Sequence, residues 1–365
     1  MEDFKKTEIG VLTFPFNNKA GQIILKNFLT ILVPLSCKMN VITGIFPQAL
    51  ISSDNINLTE IRYEYPTKDP VILKITKYLI MQLRVSFNLL KMFNNAVVII
   101  FFLGASQLLL PLLTAKLMGK KTIAVLTQKP TSTFEKVINL RLFGMTIVYS
   151  KNLIKEWNLE KYRNKISIAY EHFLDFSKFE IKKKLSERNN LVGYIGRLSK
   201  EKGVMNFFEA IPKILEEGDE IKFLIVGEGH LRDEIEKYLE EKNLNDKVKL
   251  VGWIPHDKLP NYLNELKLLV LPSYTEGLPN IVLEAMACGT PVLATPVGAI
   301  PDVIRDGKTG FIMKNNSPEC IAKNVIRALE HPDLERVVES ARALVEQEFT
   351  YEKIVKRWRE ILESI

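Results

Sequence analysis

Two glutamates, Glu276 and Glu284, bracket the stretch of this sequence best suited to chemistry: Leu271-Pro-Ser-Tyr-Thr-Glu276-Gly277-Leu278-Pro279-Asn280-Ile-Val-Leu-Glu284-Ala-Met-Ala-Cys-Gly289-Thr290-Pro291. A strand is expected to end at Leu271, a glycine-containing loop follows, and Pro279 stands where a helix can begin, because proline suits a first helical turn. The free amides of such a helix start attract anions. Gly277, Leu278, Pro279 and Asn280 are therefore candidate contacts to a phosphate or sugar oxygen. A carboxylate accepts hydrogen bonds at both oxygens, which suits the vicinal hydroxyls of a sugar or ribose. Two glutamates eight residues apart also arise by chance on any solvated helix. The whole frame of strand, E-G-x-P, helix, second glutamate and Cys-Gly-Thr-Pro raises this pair above that background.

A second loop carries cations: Gly193-Tyr-Ile-Gly196-Arg197-Leu-Ser-Lys-Glu-Lys202-Gly203. Arg197 as a fork and Lys202 as a point charge would together clamp a diphosphate at the end of a strand. Ordinary solvated loop charge is the competing reading, and the first motif tips the balance toward the clamp. Gly227-Glu228-Gly229 follows another apolar run, but it lacks the third glycine of a dinucleotide fingerprint. Trp253 and Ile254, in Val251-Gly-Trp-Ile-Pro255, would lie beside a nucleobase, or Trp253 would simply pack. The four histidines form no cluster and no D-x-D triplet occurs.

These loops need a scaffold. Short apolar strands alternate with longer helical stretches along the chain, the pattern of parallel sheets covered by helices on both faces. In the first half, strands are expected at Ile9 to Phe14, Asn40 to Thr43, Val97 to Phe102, Thr122 to Leu126 and Thr146 to Tyr149. Helices are expected at Gln22 to Leu35 and Val71 to Met92, the latter with Lys74, Lys77, Arg84 and Lys91 among apolar residues. The charged run Lys178 to Asn190 reads as an interdomain linker. Beyond it, strands are expected at Leu191 to Ile195, Lys222 to Val226, Val248 to Leu250, Leu268 to Leu271, Pro291 to Ala294 and Gly310 to Ile312. Helices are expected from Val204, at His230 to Glu241 and at Tyr351 to Ile365. With 365 residues, two doubly wound domains are the natural division. We place them at 1–180 and 181–345, followed by a terminal segment, 346–365, with a ligand cleft between the carboxyl ends of the strands.

Composition narrows the class. The hydrophobic fraction of 47% and charged fraction of 25% are those of a globular protein. Cys37, Cys288 and Cys320 lie far apart, which fits a reducing, cytoplasmic setting better than a disulfide framework. The N-terminus has no signal-peptide pattern. The apolar run Val97 to Ala115 approaches a spanning length, but Gly104, Ser106, Gln107 and Pro111 interrupt it, and a buried strand turning into a helix is the preferred reading. Residues 1–185 carry a net charge of +13 and the remainder −6. A basic half suggests something anionic beside it, such as a phosphorylated acceptor or an anionic membrane. Nucleic acid is disfavoured, because no stacking platform or recognised motif accompanies the charge.

Taken together, the motifs resemble the nucleotide-sugar domain of the family 4 (group 1) glycosyltransferases, which have the GT-B fold. The matching pieces are G-R-L-x-x-E-K-G at Gly196 to Gly203, V-G-E-G at Val226 to Gly229, V-G-W-I-P at Val251 to Pro255, and E-x7-E from Glu276 to Glu284. A-T-P-V-G-A-I-P-D at Ala294 to Asp302 and D-G-x-T-G at Asp306 to Gly310 extend the match. The resemblance implies a retaining, metal-independent transferase that needs no cofactor beyond its nucleotide-sugar donor, with a last helix, residues 346–365, that crosses back to the first domain. By the same resemblance Arg197 and Lys202 bind the donor diphosphate, Glu276 the transferred sugar, Glu284 the ribose hydroxyls, and amides near Gly277 to Asn280 join them. The acceptor would be a glycan or lipid-linked precursor.

The first half matches less well. The family's paired-glycine loop after the first strand is represented only by Gly21 following Asn17 to Ala20. No histidine follows the middle strand, where Thr127, Gln128 and Lys129 are candidates to line the acceptor site. Tyr170-Glu171-His172-Phe173 replaces a frequent Pro-Asn-Gly, and His172 reads equally well as structural. The alternatives are a GT-B epimerase or phosphorylase, and, outside enzymes, a basic module binding anionic lipid or nucleic acid.

Overall fold

A computed structural model describes residues 7–15, 19–46, 54–64, 69–127, 130 and 138–365. The chain forms two compact units, residues 1–173 with 351–365, and residues 174–350.

Among the described residues of the first unit, seven parallel strands alternate with helices. They are β1 (Glu8–Thr13), β2 (Lys38–Thr43), β3 (Ile56–Glu60), β4 (Ala96–Phe102), β5 (Lys121–Val125), β6 (Met145–Val148) and β7 (Ile166–Ile168). The helices are α1 (Lys19–Leu32), α2 (Val71–Met92), α3 (Leu109–Leu117) and α4 (Lys151–Glu156). The strand order is β3-β2-β1-β4-β5-β6-β7, so the winding reverses between β1 and β4, the place where doubly wound sheets bind ligands. The run AVVIIFF forms β4, whose residues are buried apart from Val97; a central parallel strand is covered on both faces and needs such a run. The chain leaves β4 through Gly104 at φ +87° and enters α3. No helix among the described residues is long and apolar enough to cross a membrane.

The second unit follows the same plan with β8 (Leu191–Ile195), β9 (Lys222–Val226), β10 (Val248–Gly252), β11 (Leu268–Leu271), β12 (Val292–Ala294) and β13 (Phe311–Ile312). Its helices are α5 (Val204–Glu217), α6 (Arg232–Glu241), α7 (Leu259–Glu265), α8 (Asn280–Ala287), α9 (Ile300–Val303), α10 (Pro318–Leu329) and α11 (Leu334–Glu348). The order β10-β9-β8-β11-β12-β13 puts its winding reversal between β8 and β11. Phe207, Phe208, Ile211 and Ile214 of α5 join Val192, Tyr194, Phe223 and Ile225 of the strands in its core.

The last helix, α12 (Tyr351–Glu363), buries Ile354, Val355, Trp358, Ile361 and Leu362, a spacing of three, four and seven that makes one apolar stripe. That stripe packs on α1, where Trp358 meets Phe28 with ring centroids 5.0 Å apart. The Trp358 indole N–H donates to the Tyr170 carbonyl at 2.8 Å.

Lys178 to Asn190, expected as a linker, instead belongs to the second unit, because Arg188 anchors it there. The buried Arg188 guanidinium donates to the carbonyls of Lys183, Leu266 and Cys288 at 2.8–3.1 Å and to the Thr290 hydroxyl at 2.9 Å. Arg188→Leu strands several of those buried acceptors. It is expected to lower the stability of the second unit by about 3 kcal/mol, read as a drop in its denaturant midpoint. A change below about 0.5 kcal/mol, the scale of an ordinary surface substitution, would refute this anchoring role.

Candidate functional site

In the second unit, the motif residues of the sequence occupy the loops at the carboxyl ends of the parallel strands. Arg197 and Lys202 follow β8, Gly227 follows β9, Trp253 and Ile254 follow β10, and Glu276 to Pro279 follow β11. Close backbone packing holds these loops. Gly227, at φ +141°, lies so near Gly196 that a Cβ there would sit 1.9 Å from the Gly196 carbonyl oxygen. A Cβ on Gly298, at φ +62°, would meet the Glu276 backbone carbonyl oxygen at 2.2 Å. Neither position admits a side chain without displacing the neighbouring loop.

Lys202 and Glu276 bridge the two strands that flank the winding reversal. The Lys202 ammonium donates to both Glu276 oxygens at 2.7 and 2.8 Å. The Ser273 hydroxyl donates to Glu276 Oε1 at 2.7 Å. The Glu276 side chain is only 8% exposed, so this carboxylate is held in a fixed position. Arg197 differs, since its side chain is 72% exposed and its ion-pair contact is Glu201 at 3.4 Å. Its loop is nevertheless fixed, because the buried Tyr194 hydroxyl donates to the Arg197 carbonyl at 2.7 Å. Burial raises the Tyr194 pKa, which keeps that donor protonated.

Glu284 lies on the buried side of α8, the fifth residue of the helix. Its Oε1 is 2.7 Å from Nε2 of His256, which stands in the loop after β10. This hydrogen bond raises the His256 pKa above the usual histidine value, against a smaller opposing effect of burial. The E-x7-E stretch is thus tied at each glutamate to a basic side chain from a neighbouring loop, Lys202 at Glu276 and His256 at Glu284. Pro279 is the residue before α8, and Asn280 opens the helix with no side chain capping its first amides. Leu278 is buried, while Asn280 and Trp253 are exposed. Among the described residues no three His, Cys, Asp or Glu side chains gather as metal donors.

Sequence reasoning missed His256 and Ser273. The H of V-G-W-I-P-H was the available signal for the first; nothing in the spacing pointed to the second. Gly21 also needs correction. It was expected in a loop before a helix starting at Gln22, but α1 begins at Lys19 and Gly21 sits in its first turn, in the first unit. Thr127 follows β5, while Gln128 and Lys129 lie outside the described residues.

The first unit has a pocket of about 410 Å³ at its own winding reversal, lined by Phe14, Tyr63, Lys74, Tyr78, Leu79 and Gln107. Phe14 follows β1 and its amide donates to Leu103, just past β4, at 2.9 Å. The Tyr78 hydroxyl donates to the Gln107 carbonyl at 2.6 Å. Burial raises the Tyr78 pKa.

Residues 175–347 match the family model of the group 1 glycosyl transferases. Over 183 residues the chain is 33% identical to alpha-D-kanosaminyltransferase of Streptomyces kanamyceticus, covering 48% of this chain and 47% of that protein. Over 178 residues it is 33% identical to N-acetyl-alpha-D-glucosaminyl L-malate synthase of Bacillus anthracis, covering 48% and 46%. The chain spans about half the length of the curated relatives it matches. Among solved structures, Anabaena HepE in complex with UDP superposes with a TM-score of 0.79 at 16% identity, over 98% of this chain and 100% of that one. The lipopolysaccharide outer core galactosyltransferase WaaB gives 0.76 at 17%, over 98% and 99%. At such identities the likeness is one of fold, and that fold is GT-B, with two Rossmann-like domains.

Proposed function

We propose that this chain, whose residues 175–347 carry the group 1 glycosyltransferase domain, moves a sugar from a nucleotide-diphosphate donor to an acceptor hydroxyl. The observation that carries the reading is the Lys202–Glu276 bridge across the winding reversal of the second unit, with Glu284 eight residues further along, just over one turn into α8. Glu276 and Glu284 would accept hydrogen bonds from the hydroxyls of the transferred sugar and of the ribose. Lys202, Arg197 and the free amides at the start of α8 would face the diphosphate.

In the reaction the anomeric carbon exchanges its bond to a diphosphate oxygen for one to the acceptor oxygen. The acceptor's proton is taken up by the departing diphosphate. Retention follows if both bonds lie on one face of the sugar, which is the outcome the motif resemblance implies. Negative charge grows on the leaving diphosphate as its bond breaks, and preorganised cations and helix-start amides stabilise it there. These groups supply the positive charge that a metal provides elsewhere, so the proposed transfer is metal-independent and needs no cofactor. The acceptor, a glycan or lipid-linked precursor, is assigned to the pocket of the first unit, whose aromatic walls suit a sugar face or an apolar chain.

The test is a thermal-shift panel of UDP-, GDP- and ADP-sugars, because a ligand binding only the folded state raises its melting temperature. One nucleotide class should stabilise the chain at millimolar concentration, and a product should form with that donor and a glycan acceptor. No shift with any of the three would remove the reading.

A further inference from the structure

Helix α2 has three faces. Met81, Gln82, Val85, Ser86 and Leu89 are buried, and the helix packs on β2 and α3. With about 100° between successive residues, Ile72, Leu79, Leu83, Phe87 and Leu90 fall on a second line, between 48% and 80% exposed. Lys77, Arg84 and Lys91, seven residues apart in turn, form a third line, and Val71 to Met92 contains no Asp or Glu. Exposed Ile75 and Ile80 widen the apolar line, and the neighbouring α3 adds exposed Leu113 and Leu117. Single exposed apolar residues are ordinary, but a continuous stripe over 22 residues, roughly 33 Å long, marks an interaction surface.

We propose that α2 docks this chain on an anionic lipid bilayer. The helix lies in the plane of the headgroups, its apolar line turned toward the acyl chains. Arg84 and Lys91 meet lipid phosphates along its flank, beside Lys77, whose ammonium is paired with Asp69. Charge decides between a bilayer and a second copy of the chain. Two copies meeting through this face would bring two basic lines together, in a half of the sequence already at +13. The first turns of α2 also wall the pocket of the first unit, through Lys74, Tyr78 and Leu79. Resting on the transfer proposed above, this placement brings a lipid-linked acceptor to the pocket from the membrane side.

The experiment is co-sedimentation of the 365-residue chain with vesicles of phosphatidylcholine alone and of equimolar phosphatidylcholine and phosphatidylglycerol. Binding to the mixed vesicles is expected, fading as salt rises. It should weaken by at least about tenfold in Arg84→Glu/Lys91→Glu and in Leu83→Asp/Phe87→Asp. These side chains are exposed, so both variants should keep the wild-type melting temperature and its shift with nucleotide sugar. That retained shift separates failure of this proposal from failure of the donor-site reading. Sedimentation with neither vesicle, equal binding to both, or binding unaffected by both double variants would overturn the proposal. So would a dimer in light scattering that Leu83→Asp/Phe87→Asp dissociates without any vesicle binding, since the face would then belong to a second copy.

Discussion

Lys202→Ala is expected to lower turnover by at least ~10²-fold, the scale of removing one preorganised electrostatic group from a transition state. The substitution acts twice. It removes a point charge from the proposed diphosphate position, and it leaves the 8% exposed Glu276 carboxylate with the hydrogen bond from Ser273 but no counter-charge from Lys202. The second effect costs stability, because an uncompensated and largely buried charge is expensive. The melting temperature should fall along with the rate. Arg197→Ala is expected to slow turnover to a similar extent with no such fall, since that side chain is 72% exposed. Glu276→Gln keeps the shape and discards the charge, and it should also slow transfer. Lys202 and Glu276 are partners, so the Lys202→Ala/Glu276→Ala variant should lose less than the two single losses combined. Rates within about tenfold of wild type for Lys202→Ala, or additive losses in the cycle, would separate this pair from the chemistry.

How much of this was legible in the sequence differs between the two units for physical reasons. In the second unit the strands run directly into glycine-bearing loops whose backbones touch, as at Gly227 against Gly196. Such contacts demand glycine, so the loops show in the residue types alone. Long, continuous apolar runs such as β4 were equally readable, because a strand covered on both faces has no polar alternation to confuse it. The short strands β3 and β7 escaped, their residues being mostly half-buried or exposed. The segment around Arg188 misled because its charge suggested solvation. Only the fold supplies the carbonyls that make a buried guanidinium tolerable there. The periodicity of α2 marked it as a helix with basic residues, but which of its three lines faces the core depends on β2 and α3. His256 and Glu284 stand 28 residues apart on separate elements, and no local spacing announces that pairing.

The His256–Glu284 pair makes the second large prediction, a pH-dependent donor affinity. His256 has its pKa raised by its hydrogen bond to Glu284. The pair therefore contributes most to the folded state below the ordinary histidine pKa of about 6.5, and that contribution fades as pH rises through the raised value. A ribose diol seated on Glu284 competes with the protonated imidazole for the same carboxylate oxygens. Nucleotide-sugar binding should then release a proton and tighten as pH rises through the histidine range. The donor's diphosphate is esterified at both ends and holds a constant charge there, so the ligand itself adds no such trend. Calorimetry in two buffers of different ionisation enthalpy would read the released proton directly. His256→Ala should flatten the profile and improve affinity at low pH. Glu284→Ala should weaken binding at every pH, by roughly ten- to a hundredfold or more, as expected for hydrogen bonds to a charged group. Affinity that is independent of pH in the wild type, or a Glu284→Ala variant that binds as tightly, would place the ribose away from this carboxylate.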